Sequence, residues 1–446
     1  MLKNIKNLPR WINIIFFIIA LYYNLSIVPS GREVKDFSDT HDYIQQSKLD
    51  FFSSEFFFPD SDKFAERPFT VPLFYKLCNA NPKVILAAQK VIHSIASFLL
   101  VASLLLFVRK RALQYTLILM VYILMSWWNI LGWSNLMLSE SLSMSLFFIW
   151  ISSLLWLLKR KDKLSIIFHV FCVILFSFTR DSWPYFLLII YVMLGISSFK
   201  YAKALRWRFL GMVLVTVLIF FIQQQSANIG HRYRLPILNN IVVKILPSEE
   251  YTKWFVEEGM PLSEELKLNF SNSTDENRKI YSLYHDSTYQ ELFNWVDTKG
   301  KNAYMKFLLT HPRFSLLLDE NQEEFDRIFA FNLNYYTVHI QGYSRLALNI
   351  LPFFKTWHLF VLVILMVACF IRSRRFIFLI PLVFTVACYF NAFLLYNADA
   401  LEVERHLFIT QIFMEVIGLF SLFLYFDSDF FAAKMDIVKS RIRRNN

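Results

Sequence analysis

Residues 11–28 read WINIIFFIIALYYNLSIV, and they form the first of several long apolar runs in the sequence. The segment that follows is polar, and residues 36–43 within it read DFSDTHDY. An apolar run of about 18–25 residues is long enough for a helix to cross a bilayer core of roughly 30 Å. The alternation of such runs with polar segments predicts a protein whose helices cross a membrane.

The composition is typical of a membrane protein. Of the 446 residues, 56% are hydrophobic, and the mean hydropathy is +0.40. Soluble proteins of this length rarely contain so much apolar sequence. Because a segment in lipid must satisfy its own backbone hydrogen bonds, the spans are expected to be helices. We therefore predict an all-α polytopic membrane protein with about ten transmembrane helices, whose outer-face loops form small amphipathic helices.

The basic residues predict the orientation of these spans. Basic clusters follow every second span, whereas the short turns on the opposite side contain only Arg180 and Arg405. Since cytoplasmic loops carry the excess of lysine and arginine, both termini are expected on the cytoplasmic side of a bacterial inner membrane. The same clustering accounts for the net charge of +11 without a nucleic-acid partner. We place the spans at residues 11–28, 84–108, 113–131, 137–158, 164–179, 184–199, 208–225, 353–371, 376–396 and 406–426.

The first span also has features of a signal peptide, because Lys3, Lys6 and Arg10 precede it. It is long, however, and no small-residue cleavage site of the Ala-x-Ala kind follows it. We interpret it as an uncleaved first helix.

Two polar segments on the outer side, residues 29–83 and 226–352, are long enough to form structure of their own. In the second, helices are predicted at residues 263–269, 287–296 and 301–309. We divide the chain into residues 1–225, an N-terminal transmembrane module that includes the loop 29–83; residues 226–352, an outer-face loop domain; and residues 353–446, a C-terminal transmembrane module with a basic cytoplasmic tail.

Ionisable residues gather at the outer ends of the spans. Near lipid, each such group is costly by a few kcal/mol unless it is paired or wetted. Several of them on one face indicate a shared polar cavity. The candidates are Asp39, His41, Asp42, Tyr43, Arg67, Glu140, Arg180, Asp181, Glu402, Glu404, Arg405 and His406.

Each candidate also has a purely structural interpretation. Asp39 is a residue type that often caps a helix. Glu140 would be favoured at a helix N-terminus by the helix dipole. Arg180 and its acidic neighbour would suit a solvated turn, and Arg405 and His406 would suit the lipid headgroup region. Their joint placement on one face favours the functional interpretation.

Four short motifs resemble the GT-C class of integral-membrane glycosyltransferases, the group that contains the protein O-mannosyltransferases and the aminoarabinose transferase of lipid A. The motifs are Asp39–Tyr43 after the first span, Arg67-Pro68 with Pro72-Leu73, Ser139–Leu142, and Arg180–Pro184. Residues 304–316 also resemble a helix that these enzymes carry before their late spans. The sequence departs from the Asp-Glu pair of the O-mannosyltransferases, since Thr40 follows Asp39.

The resemblance implies an enzyme that takes a sugar from a polyprenyl-phosphate sugar on the outer face of the membrane. The acceptor would be a hydroxyl of a lipid, a glycan or a protein of the cell envelope. Asp39 would act as the general base on that hydroxyl. Such a base typically contributes about 10²–10⁴-fold to a rate, and a single displacement of this kind would invert the anomeric centre.

The leaving phosphate needs fixed cations, and arginine suits this task because its planar fork matches phosphate oxygens. The phosphate-binding candidates are Arg67, Arg180, Arg405 and His406. The candidates for orienting the substrate are His41, Asp42, Tyr43, Glu140, Asp181, Glu402 and Glu404.

The sequence does not indicate a cofactor. Asp60 and Asp62 have the Asp-x-Asp spacing of a divalent-metal site and are weak metal candidates. Membrane lipids are the other expected partners.

Three other functions fit parts of the pattern. A polysaccharide polymerase or ligase that uses lipid-diphosphate glycans also has about ten spans, a large outer loop and outer arginines. A transporter or flippase would place its charges or broken helices at mid-membrane. A scaffold protein would need no chemistry at Asp39.

Overall fold

The computed structural model describes residues 8–27, 37–58, 67–160, 162–270, 287–316, 356–400 and 403–435. This part of the chain consists of helices and turns and contains no strand. Its α-helices are α1 (Leu8–Ser26), α2 (Ser38–Lys48), α3 (Ser54–Phe57), α4 (Thr70–Leu77), α5 (Pro82–Leu104), α6 (Arg111–Met125), α7 (Trp128–Leu131), α8 (Ser139–Arg160), α9 (Lys163–Ser177), α10 (Trp183–Tyr201), α11 (Arg206–Ile229), α12 (Arg234–Asn240), α13 (Glu249–Glu257), α14 (Glu264–Phe270), α15 (Gln290–Trp295), α16 (Lys301–Thr310), α17 (Pro312–Ser315), α18 (Thr356–Ser373), α19 (Leu379–Ala398) and α20 (Val403–Asp427).

The ten predicted spans correspond to ten apolar helices: α1, α5, α6, α8, α9, α10, α11, α18, α19 and α20. Seven of them are long and apolar enough to cross a membrane, and α6, α9 and α18 are shorter apolar helices. The predicted all-α polytopic membrane architecture is therefore confirmed. The largest difference in bounds is at the third span, because the helix ends at Met125 and a separate short helix, α7, follows it.

Helices α8 and α20 lie at the centre of the bundle. The apolar segment of α8 is 83% buried and that of α20 is 94% buried. The apolar segments of α1 and α11 are only 22% and 28% buried. Central helices are enclosed by protein on all sides, so a charged residue at their ends needs partners from neighbouring elements. Glu140 is the second residue of α8, and Arg405 is the third residue of α20.

Polar side chains inside the bundle satisfy one another. The indole nitrogen of Trp150 on α8 donates to the Tyr191 hydroxyl at 2.7 Å. The His169 ring of α9 lies 2.7 Å from both the Tyr191 hydroxyl and the Ser153 hydroxyl. This network links α8, α9 and α10, and hydrogen bonds between helices are a main source of specificity in a medium as apolar as lipid.

Two side chains of α5 donate hydrogen bonds to backbone carbonyls at the ends of two neighbouring helices. The Lys90 ammonium donates to the carbonyl of Ile27 at 2.5 Å, just beyond the end of α1. The His93 ring nitrogen donates to the carbonyl of Met125, the last residue of α6, at 2.8 Å. The final carbonyls of a helix lack partners within the helix, so these contacts satisfy groups that lipid would leave unpaired.

We expect Lys90→Met to destabilise the protein by about 1–3 kcal/mol, because it leaves the buried Ile27 carbonyl without a donor. Thermal unfolding in detergent measures the change. The matched control is Lys83→Met, which alters an exposed lysine in the first turn of the same helix. Equal stability of the two variants would contradict the role of Lys90.

The segment between α11 and α18 has an apolar core of its own. Phe255, Trp295 and Phe307 are among its buried residues. Helices α14, α15 and α16 occur where the sequence predicts helices, and α16 ends at Thr310, which His311 and Pro312 follow. We call the described residues 233–270 and 287–316 the outer unit, after the sequence-based prediction that this segment lies on the outer side of the membrane.

Candidate functional site

Six charged side chains from separate stretches of sequence form one connected set of ion pairs. They alternate in sign and are, in order of contact, Asp42, Arg67, Asp39, Arg405, Glu140 and Arg180. We call this set the ion-pair network. Its three acids and three bases balance, so its formal charge is zero when all six are ionised.

Asp39 lies at the middle of the network. One carboxylate oxygen accepts a hydrogen bond from Arg67 at 2.6 Å, and the other accepts one from Arg405 at 2.7 Å. The same Arg67 nitrogen also donates to Asp42 at 2.9 Å. Both oxygens of Asp39 are therefore held in charge-assisted hydrogen bonds, which are stronger than neutral ones.

Glu140 joins Arg405 to Arg180 in the network. One of its carboxylate oxygens accepts from Arg405 at 2.6 Å and from Arg180 at 2.7 Å. Arg180 also donates to the Ser139 hydroxyl at 3.2 Å. The Glu140 side chain is completely buried, so the two arginines supply the positive charge that a buried carboxylate requires.

The first turns of α2 and α8 bring the two carboxylates together. Asp39 and Glu140 each lie in the first turn of their helix, where the helix dipole favours a negative charge. The Thr40 hydroxyl of α2 donates to the carbonyl of Met137 at 2.8 Å, just before α8 begins. This buried hydrogen bond fixes the start of one helix against the start of the other.

The Gln46 side chain holds the backbone of Arg67 in place. The Gln46 side chain donates to the Arg67 carbonyl at 2.9 Å and accepts from the Arg67 amide at 3.0 Å. Asp39, Asp42 and Gln46 have the i, i+3, i+7 spacing that places residues on one face of a helix. That spacing is a sequence signal for Gln46, although it was not among the predicted site residues.

The outer unit contacts the end of α19, the helix that precedes α20 and Arg405. The carbonyls of residues 396–398, at the end of α19, accept hydrogen bonds from Asn240, Lys244 and Tyr304 at 2.5–3.2 Å. Val403 at the start of α20 packs in the same apolar cluster as residues of α19. The outer unit therefore positions the end of α19 and, through it, the start of α20.

Solvent reaches the network mainly at Asp39 and Arg67. Their side chains are 19% and 27% exposed, whereas those of Arg405, Asp42 and Arg180 are 7%, 11% and 11% exposed. Burial raises the pKa of Asp39, but the charges of Arg67 and Arg405 lower it by more, so its pKa lies well below the usual range. The carboxylate is ionised at neutral pH.

Three polar atoms of the network are buried and have no hydrogen-bond partner among the residues that the structure describes. They are Arg67 Nε, Arg180 Nη1 and Glu140 Oε2. Buried polar groups in folded proteins are normally satisfied. A polar ligand group or a water molecule is therefore expected beside the arginines.

Two further predicted residues lie at the network. The Tyr43 ring is buried, and the Arg67 guanidinium lies 5.8 Å from its centroid, within the range of a cation–π contact. His406 follows Arg405 and lies close enough to Asp39 and Glu140 to interact with their charges.

His41 and Asp181 lie outside the network, contrary to their predicted roles there. His41 is exposed and contacts Gln45. It does not face the network, because two residues along a helix rotate its side chain by about 200° from that of Asp39. Asp181 instead pairs with Arg232 at 2.9 Å and accepts from Gln223 of α11 at 2.9 Å. This second ion pair links the turn before α10 to the residues that follow α11, and the sequence analysis did not identify Arg232.

The remaining predicted residues are not described by the structure. Asp60, Asp62 and Glu402 lie outside the described residues, as does the side chain of Glu404. Within the described ranges, no group of three histidine, cysteine, aspartate or glutamate side chains is arranged to hold a metal ion.

Comparison with known proteins finds no matching family model, no matching curated protein and no matching solved structure. Any functional conclusion therefore depends on the geometry and charges of the site itself.

We expect Glu140 and Arg405 to be energetically coupled, because removing either takes away one of the other's ion-pair partners and leaves the buried network with an unbalanced charge. Glu140→Gln and Arg405→Met are each expected to destabilise the protein by about 3–5 kcal/mol. The double variant is expected to lose less than the sum of the two, with a coupling energy of about 1–3 kcal/mol. The double-mutant cycle is measured by thermal unfolding in detergent of the wild-type protein, the two single variants and the double variant.

The control cycle uses Glu258 and Lys306, an ion pair of the outer unit whose side chains are 31% and 57% exposed. Exposed pairs contribute about 0–1 kcal/mol. Additive effects of Glu140→Gln and Arg405→Met would show that their contact does not stabilise the protein.

Proposed function

We propose that this protein is a glycosyltransferase that moves a sugar from a polyprenyl-phosphate-linked donor to an acceptor hydroxyl at the outer face of a bacterial cytoplasmic membrane. The observation that carries the proposal is the contact of Asp39 with Arg67 and Arg405 at the exposed end of a buried ion-pair network. It places a carboxylate beside fixed cations next to the membrane-spanning bundle.

The arginines fit the phosphate of such a donor. Arginine presents several N–H donors in a rigid plane, and it binds phosphate more specifically than lysine does. Arg67 Nε and Arg180 Nη1 are buried donors for which the described part of the chain offers no acceptor. Fixed donors stabilise charge that develops on a leaving group most strongly where water is excluded.

Asp39 fits the role of the base. Its side chain is the most exposed carboxylate of the network. An acceptor hydroxyl that hydrogen-bonds to Asp39 would lose its proton to this carboxylate as its oxygen attacks the anomeric carbon. One base and one displacement would invert the configuration at that carbon.

We expect Asp39→Asn to lower kcat for sugar transfer by about 10²-fold or more, because an amide does not accept the acceptor's proton. The assay uses purified protein and a polyprenyl-phosphate sugar, with a polyprenyl-diphosphate glycan as the alternative donor. The control is Asp50→Asn, the same substitution at an exposed position where the amide oxygen keeps the hydrogen bond from the Phe52 amide. Near-normal turnover by Asp39→Asn would remove the proposed base.

The proposed orientation places the Asp39 end of the bundle outside the cell. We expect Leu77→Cys, at a position 76% exposed near α2, to react with a membrane-impermeant maleimide in intact spheroplasts. Arg111→Cys, at the exposed start of α6 on the opposite end, should react only after the membrane is permeabilised. All four native cysteines are buried, so the wild-type protein measures the background. The reverse labelling pattern would contradict the orientation.

A further inference from the structure

We propose that Asp39 has a second role, in which its carboxylate occupies the donor-phosphate position between Arg67 and Arg405 until the phosphate displaces it. This inference rests on the proposed function and describes how the same site is regulated. The carboxylate would act as a resident anion in the empty site and as a base only after the exchange.

The first support is the engagement of both Asp39 oxygens. Each oxygen accepts a charge-assisted hydrogen bond, at 2.6 Å from Arg67 and at 2.7 Å from Arg405. A carboxylate held in this way is a weak base, and the positive charges lower the pKa of Asp39 well below its usual range. Proton abstraction from a hydroxyl therefore requires that at least one arginine be drawn away from it.

The second support is the difference among the three acids. Glu140 is completely buried between Arg405 and Arg180, and Asp42 is 11% exposed. Asp39 is 19% exposed and contacts Arg67, the most exposed base of the network. An anion that arrives from solvent or from the membrane surface meets Asp39 and Arg67 first. Asp39 is thus the carboxylate that an incoming phosphate displaces.

The third support is the charge balance. Among the described residues the six charges of the network sum to zero, so a phosphate that simply added to them would introduce an uncompensated negative charge into a partly buried site. Exchange of one anion for another at the arginines avoids this, because the phosphodiester takes over their hydrogen bonds. The displaced carboxylate moves toward the exposed side, where the acceptor hydroxyl is expected.

The transfer step then balances. The acceptor oxygen forms a bond to the anomeric carbon, and its proton passes to the Asp39 carboxylate. The bond between the anomeric carbon and the phosphate oxygen breaks, and its electron pair stays on the phosphate. The phosphate gains one negative charge as Asp39 loses one, so the total charge of the site is unchanged while the arginines face the more highly charged phosphate.

The test measures binding of farnesyl phosphate, a short lipid phosphate that stands for the leaving group, to purified protein in detergent. We expect Asp39→Asn to bind farnesyl phosphate about tenfold more tightly than the wild-type protein, because the resident competitor has lost its charge. Asp39→Glu keeps the charge and should bind within about twofold of wild type. Equal or weaker binding by Asp39→Asn would overturn the proposal.

Four controls locate the effect. Farnesol lacks the phosphate, and a similar gain for farnesol would show that the gain does not arise at the arginines and would overturn the proposal. Inorganic phosphate lacks the lipid, and a gain for it as well would identify the phosphate group as sufficient for the exchange. The double variant Arg67→Met/Asp39→Asn should lose the gain, and retention of the gain would overturn the proposal. Asp50→Asn should bind as the wild-type protein does.

Loss of Asp39 leaves extra positive charge in the site, so Asp39→Asn is also tested by thermal unfolding. A ligand that binds only the folded state raises stability by an amount that increases with the logarithm of its affinity when the ligand is in excess. Farnesyl phosphate should therefore raise the unfolding temperature of Asp39→Asn more than that of the wild-type protein. Failure to recover Asp39→Asn even when it is purified with farnesyl phosphate would count against the proposal.

This inference and the proposed function fail in different ways. Sugar transfer by the wild-type protein without tighter binding by Asp39→Asn would overturn the inference and leave the function intact. Tighter phosphate binding by Asp39→Asn, with no transfer by the wild-type protein, would support the anion exchange and remove the proposed enzyme activity.

Discussion

The contact of Asp39 with Arg67 and Arg405 joins parts of the protein that are far apart in sequence. It connects α2, the stretch before α4 and the start of α20, and through Arg405 it reaches Glu140 on α8. A charge at the edge of a membrane bundle is costly unless an opposite charge meets it. The alternation of sign therefore constrains how these elements assemble, because displacement of one leaves its neighbour unpaired.

The scaffold around the network holds it from three sides. Thr40 connects the start of α2 to the residues before α8, and Gln46 fixes the backbone of Arg67. The outer unit donates to the last carbonyls of α19, just before Arg405. Rigid support of this kind is what a binding or catalytic site needs, since small displacements of charged groups are costly.

The same interactions define a chemical conflict inside the site. The arginines that would bind a donor phosphate also neutralise the carboxylate proposed as the base. In the proposed reaction the carboxylate would have to be released from these partners before it acts as a base. The proposed exchange of anions would resolve this conflict, and it would couple base strength to occupancy of the phosphate position.

The sequence by itself determined the helical membrane architecture, because apolar runs of sufficient length have one common solution in lipid. It also determined that Asp39, Arg67, Glu140, Arg180 and Arg405 are candidates for one site, since unpaired charges near lipid are rarely tolerated. Only the tertiary structure decided their pairing. His41 turns away from Asp39 on the same helix, and Asp181 pairs with Arg232 instead of joining Arg180. Spacing along the chain specifies neither the rotation of a loop side chain nor the distant partner that it meets, and both depend on how the helices pack.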